Sequence, residues 1–231
     1  MLDRPTTAHL AATPAIDSSH PAVQQFARKH ACGATERERA ISLFYAVRDG
    51  FRYDPYRIDL SLAGMRASRV LENGWGWCVP KATLLAAVAR AAGIPARLGF
   101  ADVRNHLSTE RMRATMHTDL FIWHGYTELW LDGAWRKATP AFNIELCEKF
   151  GLLPLDFDGV HDSLYHEFDR TGRRHMEYVN QRGHFDDLPL EQITADFRTV
   201  YTGWIESADV SSALGAHDFQ ADVEREVAAP R

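Results

Sequence analysis

The segment Gly74-Trp75-Gly76-Trp77-Cys78-Val79-Pro80-Lys81 joins a glycine-rich turn to the start of a strongly patterned helix. From Ala82 to Ala92 there is no glycine or proline, and apolar residues recur at helical spacing. Pro80 suits the first turn of a helix, where a missing N–H removes no hydrogen bond. Gly93 and Pro95 are typical of the residues that end a helix. The pattern therefore predicts a helix that begins near position 78.

Cys78 lies at the N-terminus of this predicted helix. The free backbone N–H groups and the helix dipole at that position favour a thiolate over a thiol. Because the thiolate is the nucleophilic form of cysteine, we expect Cys78 to be reactive. The alternative is that Cys78 is a small buried hydrophobe and that Trp75 and Trp77 are only core aromatics.

The composition limits the classes of protein to which the chain can belong. It has 231 residues, 45% of them hydrophobic, and a formal net charge of −5. A net negative charge disfavours nucleic acid as the main partner. No apolar run reaches the length of a membrane span, and the first residues lack the apolar core of a signal peptide, so we expect a cytoplasmic protein without a membrane partner. The three cysteines are widely spaced, which is typical neither of a disulfide framework nor of a structural zinc site.

Helices and strands are predicted on both sides of the cysteine helix. A helix passes through Ala22–Ala27, and a second begins at Thr35, which forms a capping box with Glu38. Residues 94–103 and 118–131 are rich in apolar and β-branched residues, which predicts two strands. Asp132-Gly133 is a two-residue hairpin signal, and a return strand follows it.

His124 lies in the longer of these strands and is the candidate partner of Cys78. If the hairpin pairing continues past Pro140, Thr139 and Asn143 flank His124 diagonally on the same face. A shift of one residue in the register would move them to the other face of the sheet.

Several motifs follow one another in a fixed order between about residues 40 and 143. They are Tyr53-Asp54, Gly74-Trp75-Gly76-Trp77-Cys78, Arg90-Ala91-Ala92-Gly93-Ile94-Pro95-Ala96-Arg97, His124-Gly125-Tyr126-Thr127-Glu128-Leu129-Trp130-Leu131-Asp132-Gly133-Ala134-Trp135, and Thr139-Pro140-Ala141-Phe142-Asn143. Together they resemble the transglutaminase-like superfamily of papain-like cysteine folds, in particular its bacterial single-domain members.

This resemblance implies an α+β fold in which a cysteine-bearing helix packs on an antiparallel β-sheet that carries the histidine. We expect one domain over residues 1–231, with a core at about 36–143. An N-terminal arm and helix would occupy residues 1–35, and a C-terminal extension would occupy residues 144–231.

The resemblance also implies a reaction. Cys78 would attack an amide carbonyl with His124 as general base and acid, and the thioacyl intermediate would pass to water or to an amine. A peptide or small amide is the expected substrate, without cofactor or metal, and peptidase or amidase activity is favoured over protein cross-linking. Trp75 and Trp77 would form walls of the acyl site, with Tyr126 also in contact with substrate.

The chain departs from the family at the third catalytic position, where an aspartate usually precedes the proline of the last motif. Thr139 occupies that position here, and its hydroxyl can accept the ring N–H hydrogen bond but carries no charge. Asn143 is the alternative partner for the imidazole. The departure leaves open a catalytically inactive binding or scaffolding module. A further alternative is a zinc site in which His117 joins Cys78 and His124.

Overall fold

The computed structural model describes residues 3–105, 108–164, 170–172, 175–201 and 214–228. Within these ranges the helices are α1 (Pro21–His30), α2 (Glu36–Gly50), α3 (Leu62–Met65), α4 (Ala67–Asn73), α5 (Cys78–Ala91), α6 (Glu110–Met116), α7 (Ile144–Phe150), α8 (Leu190–Val200) and α9 (Phe219–Ala228). The strands are β1 (Arg52–Tyr53), β2 (Trp75–Gly76), β3 (Ala96–Asn105), β4 (Leu120–Leu131), β5 (Ala134–Ala138) and β6 (Met176–Phe185).

The main sheet is antiparallel, with strand order β5-β4-β3-β6. β1 and β2 form a separate parallel pair, which aligns the Tyr53 segment with the turn before Cys78. The helix bounds around positions 35 and 78 agree with the sequence pattern, including the capping box of Thr35 and Glu38. The predicted α+β architecture is therefore confirmed.

The hairpin after β4 has the predicted register but is shorter than expected. Leu131 pairs with Ala134, and the pairing ends where Thr127 meets Ala138. The N–H of Thr139 donates instead to the carbonyl of Ser163 at 2.8 Å. The next residue is a proline, which has no N–H for a strand ladder. The condition that the hairpin pairing continues past Pro140 is therefore not met.

α5 is the central helix of the fold, since every residue from Cys78 to Arg90 is buried. It packs directly on β4, where the Thr127 hydroxyl donates to the Ala82 carbonyl at 2.8 Å. Gly125 makes this close approach possible, because a Cβ at that position would lie 3.1 Å from the Val79 Cα. α1, α2 and α4 cover other sides of the helix.

Two buried cations fix the ends of α5. Near its start, the Lys81 Nζ donates to the carbonyls of Arg48 at 2.9 Å and Phe51 at 2.7 Å. These bonds satisfy carbonyls at the end of α2 that lack helical partners. Near its end, Arg90 donates to the Ala96 carbonyl and to backbone carbonyls of the N-terminal arm and of the residue after β6. These hydrogen bonds hold both ends of α5, and they thereby fix the position of Cys78 at its N-terminus.

The described residues after position 143 supply the second outer strand, β6, and the helices α7, α8 and α9. β6 pairs with β3, and α9 packs against α7. The sequence pattern of residues 161–180 predicts a hairpin, but residues 165–169 and 173–174 lie outside the described ranges. Apolar residues at helical spacing predict a helix over residues 190–205. The structure has α8 in this range, and residues 202–205 lie outside the described ranges.

Candidate active site

Cys78 and His124 line the same cleft. Cys78 is the first residue of α5 and is only 7% exposed. Tyr53, Trp77 and Phe197 line this cleft as well. The structure thus brings Cys78 and His124 to one cleft, and their catalytic roles stay a prediction.

The thiol of Cys78 is more difficult to ionise than expected from its place in the helix. Burial raises the pKa of Cys78 to about 12, whereas the backbone N–H groups of Gly125, Val79 and Cys78 itself act to lower it. Desolvation disfavours the charged form, and here it outweighs those donors. Burial thus opposes the ready-made thiolate expected from the helix position, and the reactivity of Cys78 stays a prediction.

A distorted segment of β4 precedes His124. The pairing of β3 and β4 is irregular between Ala101 and Val103, and Trp123 has φ = +57°. This left-handed conformation is strained for a bulky residue. Asp102 accepts a hydrogen bond from the Trp123 N–H at 3.1 Å, and it thereby holds the residue just before His124.

Further side chains hold Trp123 from the other side. Its indole N–H donates to Asp196 at 2.9 Å. Arg182 bonds to both Asp102 and Asp196, and its guanidinium lies 4.5 Å from the centre of the Trp123 ring. The sequence analysis missed this network. A possible signal was Asp102 itself, a lone carboxylate in an otherwise apolar part of the strand.

Thr139 is not among the residues that line the Cys78 cleft, but it lines a smaller cavity together with His124. The Thr139 hydroxyl, however, makes no hydrogen bond to any described residue. The expected bond to the imidazole is not formed here, and the role of Thr139 stays a prediction.

Asn143 has another partner than the one expected. Its side-chain oxygen accepts a hydrogen bond from the Tyr53 N–H at 3.1 Å. The β4–β5 pairing on which its predicted place beside His124 depended ends at Ala138, so a role beside the imidazole stays a prediction. Asn143 instead holds Tyr53, which lines the cleft. Burial raises the pKa of Tyr53 well above its usual value, so its phenol remains a proton donor.

A profile of the transglutaminase-like superfamily matches residues 24–140, about half of the chain. The chain belongs to the transglutaminase-like superfamily. Its family is therefore one of cysteine-dependent hydrolases and acyltransferases. No curated protein matches the chain.

Two solved structures are similar to this transglutaminase-like protein. A "putative cysteine protease" from Cytophaga hutchinsonii is 14% identical with a TM-score of 0.44, and the match covers 77% of this chain and 53% of that one. A "putative protease" from Parabacteroides distasonis is 21% identical with a TM-score of 0.36, and the match covers 50% of this chain and 22% of that one. The chain thus spans about half the length of the first and less of the second.

The three residues expected to contact substrate occupy different places. Trp77 lines the Cys78 cleft and packs against Phe197, with ring centres 6.0 Å apart. Trp75 lines a neighbouring charged cleft beside Arg57. Tyr126 packs over Gly99, on the face of β4 opposite α5. Of the three, the structure brings Trp77 to the cleft with Cys78.

The zinc alternative is not supported by the positions of its ligands. His117 is exposed at the end of α6, in a left-handed conformation. Among the residues that the structure describes, no three histidine, cysteine or acidic side chains cluster as metal ligands.

The described part of the chain contains no helix long and apolar enough to cross a membrane.

Proposed function

We propose that this protein is a cysteine-dependent amide hydrolase, a peptidase or amidase, in which Cys78 is the nucleophile and His124 the general base and acid. The observation that supports the proposal is that both side chains line one buried cleft, Cys78 from the start of α5 and His124 from the distorted part of β4. A nucleophile and a base on two rigid elements are the arrangement that covalent catalysis needs.

In the proposed first step, the imidazole of His124 takes the thiol proton as the sulfur attacks the carbonyl carbon. A C–S bond forms, and the carbonyl oxygen becomes negative. The backbone N–H of Cys78 and the phenol of Tyr53 are the candidate donors to that oxygen. The C–N bond then breaks, and the amine leaves with the proton from His124. Water attacks the thioacyl carbon, with His124 again as base, and releases the acid and the thiol.

The high pKa of Cys78 bears on the timing of proton transfer. A separated thiolate is unfavourable in the cleft, where burial raises that pKa to about 12. We expect the proton to move as the C–S bond forms, because charge then passes to an oxygen that has its own donors. Cys78 would therefore react only as His124 takes its proton, in the same step as the attack on an electrophile in the cleft.

A binding module without catalysis is the second candidate function. It is favoured by the raised pKa of Cys78 and by the Thr139 hydroxyl, which forms no bond with His124 or any other described residue. In such a protein the cleft would hold a ligand without covalent chemistry.

The two candidates are separated by a trapping experiment in a Cys32→Ser background, which removes the exposed thiol. The protein is mixed with 4-nitrophenyl hexanoate, and acylation is followed by nitrophenol release and intact mass spectrometry. We expect a burst and an acyl adduct on Cys78, slowed 100-fold or more in His124→Ala. The matched control is His117→Ala, a substitution at an exposed site, which should acylate like the parent.

Alkylation of Cys78 provides a second test of the two candidate functions. If His124 acts as base, modification of Cys78 by iodoacetamide near pH 7 should depend on His124. Absence of an adduct on Cys78, together with equal alkylation rates in the parent and His124→Ala, would reject the proposed hydrolase and favour the binding module.

A further inference from the structure

The wall of the Cys78 cleft is apolar almost throughout. Besides Cys78 and His124, the described residues that line it are Tyr53, Pro55, Ile58, Trp77, Val103, Asn105, Met112, Met116, Phe121, Ile122, Met176, Phe197 and Tyr201. None of these described residues is an aspartate, glutamate, lysine or arginine. Three are methionines, whose flexible side chains adapt to ligands of different shape.

α6 presents two of these methionines and turns its charges away. Met112 and Met116 are one helical turn apart and buried, so they share the face towards the cleft. Arg111 donates to Asp222 of α9 at 2.8 Å, and Arg113 bonds to the Ser108 carbonyl. The basic side chains of α6 are thus engaged outside the cleft.

A tyrosine hydroxyl on the wall is also engaged. Tyr201 accepts from the Ile122 N–H at 2.8 Å and donates to the Leu120 carbonyl at 2.9 Å. These bonds hold the start of β4. A charged group that entered the cleft would therefore lose its hydration without meeting an opposite charge on the described wall.

We propose that the cleft binds an uncharged, apolar acyl chain or side chain, with its amide at Cys78 and its hydrocarbon part against Met112, Met116 and Phe197. This inference rests on the proposed function for the position of the amide. Met112 and Met116 are the specificity-determining residues, because they form the wall contributed by α6.

The physical expectation is a dependence on chain length and an exclusion of charge. Each methylene removed from water in the cleft should improve binding about fourfold. A carboxylate at the end of the same chain should weaken binding tenfold or more, since it is desolvated without a partner.

Binding is measured separately from catalysis with the full-length Cys78→Ala protein and ligand-observed NMR titrations. The probes are butanamide, hexanamide and adipamate, the last being the six-carbon amide with a terminal carboxylate. We expect hexanamide, with two more methylenes, to bind about 15-fold more tightly than butanamide and at least tenfold more tightly than adipamate. In the same background, Met116→Gln should weaken hexanamide binding about fivefold, whereas Met116→Leu should keep it within twofold.

Val179→Gln, at a site 53% exposed, is the matched control for the change in polarity and should leave binding unchanged. Circular dichroism melting verifies that each variant is folded. Equal affinity for adipamate and hexanamide, or no saturable binding of any amide to folded protein, would overturn the inference.

The outcomes for the two proposals differ. Binding of hexanamide without any thioacyl adduct in the wild type would reject the hydrolase and retain the apolar site. Adducts on Cys78 that form from charged esters in preference to hexanoate would reject the apolar site and retain the hydrolase.

Discussion

Cys78 and Cys147 are two buried thiols with the same raised pKa in different surroundings. Burial raises the pKa of each to about 12. Cys78 is 7% exposed and opens to the cleft with His124. Cys147, in α7, is fully buried, and its thiol lies 3.9 Å from the Phe142 carbonyl.

The comparison shows that a thiol pKa alone does not identify a nucleophile in this fold. Desolvation acts on both sulfurs alike. What distinguishes Cys78 is its position on a cleft, with a histidine on the same cleft and N–H groups around the sulfur. In the proposed hydrolase, the reactivity of Cys78 would therefore depend on how His124 and the bound amide are placed around the sulfur.

The largest expected difference is in turnover. Cys78→Ala should lower kcat/KM for hexanoyl amides by 1000-fold or more, because no thioacyl intermediate can form. Cys147→Ala should remain within about threefold of the wild type. Steady-state assays of amine release measure both, with melting curves to exclude unfolding. Equal losses in the two variants would remove the functional distinction.

Substitutions in the hydrogen-bond network around Trp123 should cause the next largest loss of activity. The network holds the residue before His124, which lines the cleft of Cys78 and not the surroundings of Cys147. Asp102→Ala removes the acceptor of the Trp123 N–H. We expect kcat to fall 10- to 100-fold as His124 loses its position. Asp102→Asn keeps an acceptor oxygen and should recover much of that loss. If both variants lose equal activity, positioning through this hydrogen bond is wrong.

Alkaline stability should reveal the property that the two thiols share. Their pKa is raised from 9.0 to about 12 in the folded state, so folded protein keeps protons that the unfolded chain releases. The free energy of unfolding should therefore fall as the pH rises from 9 to 12, by about 1.4 kcal/mol per pH unit for each thiol.

Cys147→Val removes one of these contributions. Urea unfolding at pH 8.5 and 10.5 should show a smaller fall for this variant than for the wild type. The exposed Cys32→Ser should behave like the wild type. Buried tyrosines are common to all three proteins, so they cancel in the comparison. An unchanged slope in Cys147→Val would contradict the shared desolvation.

The smallest change in activity is expected at Thr139, which occupies the third catalytic position of the family motif. Thr139→Val removes a hydroxyl that has no hydrogen bond to the described residues. We expect kcat to change less than threefold, in contrast to the Asp102 variants. A loss of 100-fold would show that Thr139 binds the imidazole during turnover. Thr139 would then be a further group that is present at Cys78 and lacking at Cys147.

The sequence predicted what depends on local patterns. The capping box of Thr35, the start of α5 at Cys78 and the Leu131–Ala134 pairing follow from short-range rules, and all three are confirmed. The family resemblance supplied the sheet behind the helix.

Long-range partners could not be predicted from the same rules. The contact of Asn143 with Tyr53 depends on where β5 ends, which is set by pairing with residue 163. The Trp123 network joins β3, β4, β6 and α8. The pKa of Cys78 depends on how completely the cleft is closed, which local spacing cannot reveal.

The position of Cys78 early in the chain has a consequence for protein synthesis. The thiol leaves the ribosome before β4 brings His124, and before the segments that supply Met176 and Phe197. α5 needs these later elements to cover it, because it is buried on all sides in the folded protein. The nascent chain therefore passes through a stage with an exposed helix and an incomplete cleft. The described lining of the cleft is complete only after translation has passed α8 and reached Tyr201.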